Sequence, residues 1–416
     1  LAAGDRDDRV IDAGQGVEAE SGDELLTPTF HNATLNRPAR SVTPMCEHVF
    51  VRWDNLKMTT EEEERLPGYS DAAVVRRFDA PEAMGVNFYE VRAKSALNRV
   101  PKMSQVPFRW TINPYRGCVH GCLFCFSRPT HNFLDMNARE DFDRKIVVKV
   151  NLPELVRKEL GRPSWKGEHV ALGTNTDPYQ WVEKRYRITR GVWEAMRDFA
   201  NPCSVLTKSP LLLRDLDLFK EIAEVAPFTA NLSIPTIDEK VWRQTEPHTP
   251  NPRARIEAVA ELNAAGIACG VLIAPLMPGV NDQPEQVEKI VQMCADAGAS
   301  HIGGICLHLR GEVRDIWFEW LEAYRPDLVP RYEQMYARGA YAPKQERERI
   351  QKLIRKARPA SVSSEPRDYN SPPLRRSSRR RDDDLRPAGR LMRGGMRRPE
   401  PESERDDGAP IQQSLF

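Results

Sequence analysis

The sequence has no apolar stretch approaching the ~20 residues that a membrane-spanning helix needs, which excludes a helical membrane protein. It also lacks charge of one sign. Sixty-one basic residues stand against 60 acidic ones, and a net +1 gives no bulk argument for a polyanionic partner. No strict glycine period, heptad or internal repeat is present, so collagen, coiled coil and solenoid are excluded. Eight cysteines in 416 residues are too few for a disulfide scaffold. The opening residues, LAAGDRDDRVIDAG, lack an apolar signal core, so export is not expected and a cytoplasmic protein with reduced thiols is.

What is present is a globular middle between polar ends. The hydrophobic fraction is 40% and the charged fraction 29%, a mixture that suggests a packed core diluted by segments unable to bury themselves. Residues 1–50 carry 9 acidic and 4 basic residues with no sustained period, and are expected to be disordered or a mis-assigned extension, with translation starting near Val51. Residues 51–104 read as a lead-in, 311–357 as a helical extension and 358–416 as a disordered tail.

From 105 to 310 short apolar runs alternate with helix-length segments. The strands fall at 107–112, 169–173, 203–207, 228–234, 269–274 and 302–308. Helices fall at 152–160, 189–199, 211–224, 251–265 and 284–297. Asn251 and Pro252 mark a helix start, and Gly266 and Gly298 mark helix ends. Six strands each followed by a helix predict an α/β fold with a parallel sheet, either open or wound into a partial barrel. Chemistry then belongs at the carboxyl ends of the strands, and these ends are polar: NPYRGC, GTNTDPYQ, TKS, SIPT, APLMPG and LHLRG.

The chemical centre is NPYRGCVHGCLFCFSRPTH, residues 113–131, with Cys118, Cys122 and Cys125 spaced C-x3-C-x2-C directly after the first strand. A loop this short folds three thiolates round one small metal site. On a [4Fe–4S] cluster three thiolates leave one iron without a protein ligand, whereas electron-transfer clusters usually have four. A Cys3His zinc site using His120 or His131 is the competing arrangement, though structural zinc ligands usually come as two separated pairs. Cys203, Cys269, Cys294 and Cys306 lie within apolar strand or helix patterns and, with Cys46, read as core or inert thiols. His301 and His308 read as core or surface histidines, and Trp317 and Trp320 as core.

The three-cysteine spacing, with an aromatic at Phe124 just before the last cysteine, resembles the radical S-adenosylmethionine (SAM) enzymes. Across residues 51–345, the cysteine segment together with ALGTNTDPYQ, LTKS, TEPHTPNPRARIEA, APLMPGVND and LHLRGEVRDIWFEWL resembles an actinobacterial type of the spore-photoproduct-lyase-like branch, the DNA repair photolyase homologues. The resemblance implies a partial (β/α)6 barrel, a [4Fe–4S] cluster on Cys118, Cys122 and Cys125, and SAM chelated to the open iron. It implies reductive cleavage of SAM to a 5′-deoxyadenosyl radical that takes hydrogen from substrate, with flavodoxin or ferredoxin as electron donor. Phe124 would lie by the adenine, and Thr176, Asp177, Lys208 and Ser233 would touch SAM. Photoproduct lyases carry a hydrogen-donating cysteine where this sequence has Asn175, so thymine-dimer reversal by the same route is not expected, and Cys203 or Cys306 are the thiols nearest the strand ends. DNA or another nucleic acid is the favoured substrate. Radical modification of a protein, peptide or small molecule, and a non-catalytic metal-binding adaptor for DNA repair, are the alternatives.

Two tail features bear on partners. Residues 371–398 contain 10 Arg and 3 Asp, a block able to neutralise phosphates or simply to stay solvated. The terminal Gln412-Gln413-Ser414-Leu415-Phe416 resembles the Q-x-[SD]-L-F peptides that bind the bacterial sliding clamp, with Gln412, Leu415 and Phe416 as its anchors.

Overall fold

The computed structural model describes residues 58–364, apart from 84, 102, 103 and 105. The expectations for residues 1–50, for Cys46, for a start near Val51, for the Arg block 371–398 and for Gln412, Leu415 and Phe416 lie outside the described residues.

Twelve strands run in chain order among the described residues. The first six are β1 (Met58–Glu64), β2 (Ala73–Phe78), β3 (Asn87–Val91), β4 (Asn98–Arg99), β5 (Trp110–Ile112) and β6 (Tyr115–Arg116). The rest are β7 (Lys145–Lys149), β8 (Val170–Leu172), β9 (Cys203–Thr207), β10 (Phe228–Ser233), β11 (Cys269–Leu276) and β12 (Ile302–Cys306). Eleven helices accompany them among the described residues. These are α1 (Glu140–Arg144), α2 (Leu152–Leu160), α3 (Glu183–Tyr186), α4 (Ile188–Asp198), α5 (Leu216–Val225) and α6 (Glu239–Thr245), then α7 (Pro252–Ala264), α8 (Pro284–Asp296), α9 (Glu312–Tyr324), α10 (Val329–Met335) and α11 (Lys344–Ala357).

All six expected strands form, and they pair in parallel in the order β5-β8-β9-β10-β11-β12, with β4 antiparallel on the outer side of β5. The sequential strand order is consistent with a partial barrel and is not the order of a doubly wound sheet. β10 is buried at every position, as a strand covered on both faces must be. The expected helix signals operate. Asn251 Oδ1 accepts the Arg253 N–H at 2.8 Å, and Gly266 and Gly298 close α7 and α8 at φ +84 and +75. The segment expected to be helical from 211 opens instead as a 3-10 turn, Pro210–Asp215, because Ser209 turns its hydroxyl to the Leu211 N–H and starts a tighter turn ahead of α5.

The sequence reading gave no structure to residues 51–104. The described part supplies β1–β4, and the first three join β7 and β6 in a second sheet ordered β1-β2-β3-β7-β6. Side-chain alternation divides this sheet between two cores. Phe88, Ile146 and Val148 pack into the main core, while Val75, Tyr89 and Val147 meet Leu134 and Met136 on the other face. Trp317 and Trp320 are buried and stacked at 4.7 Å, and Cys203, Cys269 and Cys294 are fully buried, all as core residues. Beyond α11 the chain stays in contact with the sheet, since the Ile302 N–H donates to the Ser363 carbonyl at 3.0 Å. No helix among the described residues is long and apolar enough to cross a membrane.

Candidate active site

The cysteine segment leaves β6 at Gly117, whose φ of +83 and whose closeness to the Phe142 carbonyl and the His131 ring, both 2.8 Å from where a Cβ would stand, leave room only for glycine. The loop is fastened from several directions. Cys118 N–H donates to the Phe142 carbonyl at 3.0 Å, and Leu123 N–H to the Thr245 carbonyl at 3.0 Å. Gln180 Oε1 accepts the Val119 N–H at 3.2 Å, while its Nε2 donates to the Gly117 carbonyl at 3.3 Å. Arg128, 3% exposed, gives its guanidinium to the carbonyls of Gly121, Cys122, Ala138 and Arg139. A buried cation spent on four carbonyls holds the loop's backbone in one shape.

The strand ends supply the rest. Gly173, after β8, sits so close to β9 that a Cβ would lie 1.9 Å from the Leu206 carbonyl oxygen, which lets the 174–177 turn lie against the cysteine loop. Within that turn the Thr176 hydroxyl donates to the Tyr115 carbonyl at 3.2 Å. The Asp177 carboxylate accepts from the Thr207 hydroxyl at 2.6 Å and from the Lys208 N–H at 2.8 Å, and lies 3.4 Å from His120 Nδ1. Burial alone would raise Asp177, but His120 and these hydrogen bonds outweigh it and hold the carboxyl below the usual range. Lys208 Nζ lies 2.6 Å from Glu246 Oε1, 2.9 Å from the Ser233 hydroxyl and 5.5 Å from the centre of the Phe124 ring. Glu246, fully buried, also meets Arg255 at 3.2 Å, and the two cations keep it ionised against the cost of burial.

The eight residues expected to hold the cluster and SAM meet in one place. Cys118, Cys122, Cys125, Phe124, Thr176, Asp177, Lys208 and Ser233 all line a cavity of about 230 Å³ at the carboxyl ends of the parallel strands. Cys306 and His308 line it too, whereas Cys203 lies at the opposite end of β9 and does not. The sequence reading gave no role to Glu246, Arg255 and Arg128, although all three stand inside motifs it singled out. Asn175 has its side-chain oxygen buried without a partner, as does Thr174.

The donor set fits an iron–sulfur group better than a lone ion. Burial, followed by the Asp177 carboxylate, holds the Cys118 thiol well above its usual value, and burial does the same for Cys122. Thiols that resist ionisation in a buried cavity are relieved by a bound metal, which deprotonates them outright. No group of three or more His, Cys, Asp or Glu side chains among the described residues is gathered closely enough to grip one ion. A cubane, whose ligands attach to separate irons, needs no such convergence. Of the two histidines of the zinc alternative, His131 is turned away, its Nε2 donating to the Lys145 carbonyl at 2.9 Å and its ring packed on Phe142, whereas His120 lines the cavity with its Nδ1 3.4 Å from Asp177.

Residues 112–294, from the end of β5 through most of α8, match the model of the Radical SAM superfamily. A protein of Mycobacterium tuberculosis described as uncharacterized is 44% identical over 289 residues, spanning 70% of this chain and 85% of its own. The chain belongs to the radical SAM superfamily. That family of enzymes works with a [4Fe–4S] cluster and SAM, and needs a reductant. A second relative, the Radical SAM Nalpha-GlyT isomerase of Pseudomonas phage M6, is 25% identical over 191 residues, 45% of this chain and 37% of its own. Among solved structures, a spore photoproduct lyase mutant with bound AdoMet and dinucleoside spore photoproduct matches with a TM-score of 0.48 at 15% identity, covering 67% of this chain and 82% of that one.

Proposed function

We propose that Cys118, Cys122 and Cys125 hold the [4Fe–4S] cluster, that Phe124, Thr176, Asp177, Lys208 and Ser233 form the SAM side of the cavity, and that the substrate is a nucleic acid, in repair or modification. The observation that carries this reading is the shared cavity. Three cysteines and the five polar or aromatic residues expected round SAM come from four different strand ends and still line one space.

The group, when bound, supplies one-electron chemistry that generates a carbon radical able to take hydrogen from a substrate. The protein's own residues shape and insulate the site. Lys208 offers a cation whose charge is balanced by Glu246, so it can hydrogen-bond an acidic group without leaving an excess charge buried. Ser233 accepts from Lys208 and donates to the Ala274 carbonyl, fixing the ammonium's direction. Asp177, committed to Thr207, Lys208 N–H and His120, holds the β8 and β9 ends together beside the cysteine loop. Phe124 faces Lys208 and gives a flat apolar wall.

The nucleic-acid reading draws support from the motif resemblance and from the Arg-rich block 371–398. A cytoplasmic setting, flavodoxin or ferredoxin as donor, and a sliding-clamp contact through Gln412, Leu415 and Phe416 complete the proposal. Anaerobic reconstitution tests it. The full chain should take up about four Fe and four sulfide and form 5′-deoxyadenosine, more of it when irradiated DNA is present. Cys122→Ala should lose both the iron and the product. Retained iron in that variant, or zinc alone in the wild type, would refute the assignment.

A further inference from the structure

Large apolar side chains exposed to solvent are few in the described chain, and two of them line the cavity: Phe126 at 36% and Ile305 at 56% exposure. They mark where the cavity meets solvent. Between Ile305 and the helical extension lies His308, which lines the same cavity and stacks on Tyr341 with ring centres 4.3 Å apart and planes 27° from parallel. Tyr341, itself 59% exposed, is held there by a β-bridge to His308. Burial, with the nearby Arg310, lowers His308, which favours the neutral ring. A flat neutral ring, propped from behind and flanked by apolar groups, is a stacking surface.

We propose that Phe126, Ile305 and His308, backed by Tyr341, form a platform that takes one unstacked base of a single-stranded nucleic acid. This rests on the nucleic-acid reading above and names the part of the substrate that enters. The platform lines a recess at the strand ends rather than an open face. A paired base is stacked within its duplex and does not reach such a recess without being flipped out, so the site selects bases that are already free. A planar heterocycle matches the ring platform.

The test is fluorescence anisotropy with the reconstituted full chain, in fixed salt, against three labelled probes: a twelve-nucleotide thymidine strand, the same strand paired with its complement, and an uncharged peptide of similar length. The single strand should bind most tightly. His308→Ala should weaken it about ten-fold, the usual worth of one base stacked on a ring, and His308→Phe should restore it. Phe199→Ala, an exposed aromatic away from the cavity, should bind as wild type. Equal binding by His308→Ala, preference for the duplex, or sensitivity of the peptide but not of the strand to His308→Ala would each overturn the platform. Failure to form 5′-deoxyadenosine would instead overturn the enzyme reading, which this measurement does not touch.

Discussion

Lys208 and Glu246 meet at 2.6 Å beneath the cysteine loop, the one on the end of β9 and the other just after α6. Glu246 is fully buried and is shared with Arg255, so two cations and one carboxylate form a unit that also lies 4.0 Å from Cys122 Sγ. The positive charge at the strand ends is thus installed together with its counter-charge.

Glu246→Gln leaves the part-buried Lys208 and the fully buried Arg255 with no anion. Removing one partner of a buried pair costs about 3–5 kcal/mol. The urea midpoint should fall accordingly, and a variant as stable as wild type would show that the unit is more hydrated than its burial implies.

Arg128→Ala strips the donors from four carbonyls of the cysteine loop and its neighbourhood. With about 1–3 kcal/mol at stake for each buried group left unpaired, the chain should be destabilised by at least about 3 kcal/mol. Iron retention after reconstitution should drop even in molecules that stay folded. Arg128→Lys, with a single donor head, should recover only part of either property, as iron counting against circular dichroism will tell.

Gly173→Ala forces a methyl to within 1.9 Å of the Leu206 carbonyl at a backbone φ of +83. Both the clash and the left-handed geometry oppose it, and because the obstacle is backbone it cannot rotate aside. Loss of soluble protein, or a fall of more than about 2 kcal/mol in stability, is expected; normal melting would mean that β8 and β9 separate easily.

His301 and His131 are both lowered to about 4, in each case chiefly by burial. In the unfolded chain each takes a proton near 6.5, so below that pH the unfolded state binds more protons than the folded one. Stability is therefore flat above pH 6.5 and falls as pH drops toward 4, by about 2 kcal/mol per histidine at pH 5. Thermal midpoints at pH 7 and pH 5 measure the fall, and His301→Gln should make it shallower.

The parallel sheet was legible because each of its strands is a short apolar run closed by polar, Gly or Pro residues, and because Asn251, Gly266 and Gly298 punctuate the helices with local chemistry. The second sheet was not. KIVVK is five residues long, and AVVRRF carries Arg76 and Arg77 within it. Its members also pair across a wide gap in sequence, β3 with β7, which no local period reports. The cysteine triplet was visible for the same reason that the helix caps were, since its ligands are neighbours in the chain. Glu246 was passed over because its meaning comes from Lys208 and Arg255, brought to it only by folding, and Arg128 because an arginine in a polar loop looks solvated until its carbonyl partners are seen.

The chain's path between β5 and β8 makes the outlying strands inseparable from the chemistry. It runs through β6, the cysteine loop, α1 and β7 before α2 returns it to the main sheet, and β7 lies hydrogen-bonded between β6 and β3. A fragment cut to residues 105–310 would keep Cys118, Cys122, Cys125 and every cavity residue, yet would bare the edge of β7 that Asn87–Val91 now covers. Minimal versions of this protein designed on the barrel alone would therefore inherit a sticky flank directly behind the part meant to carry iron.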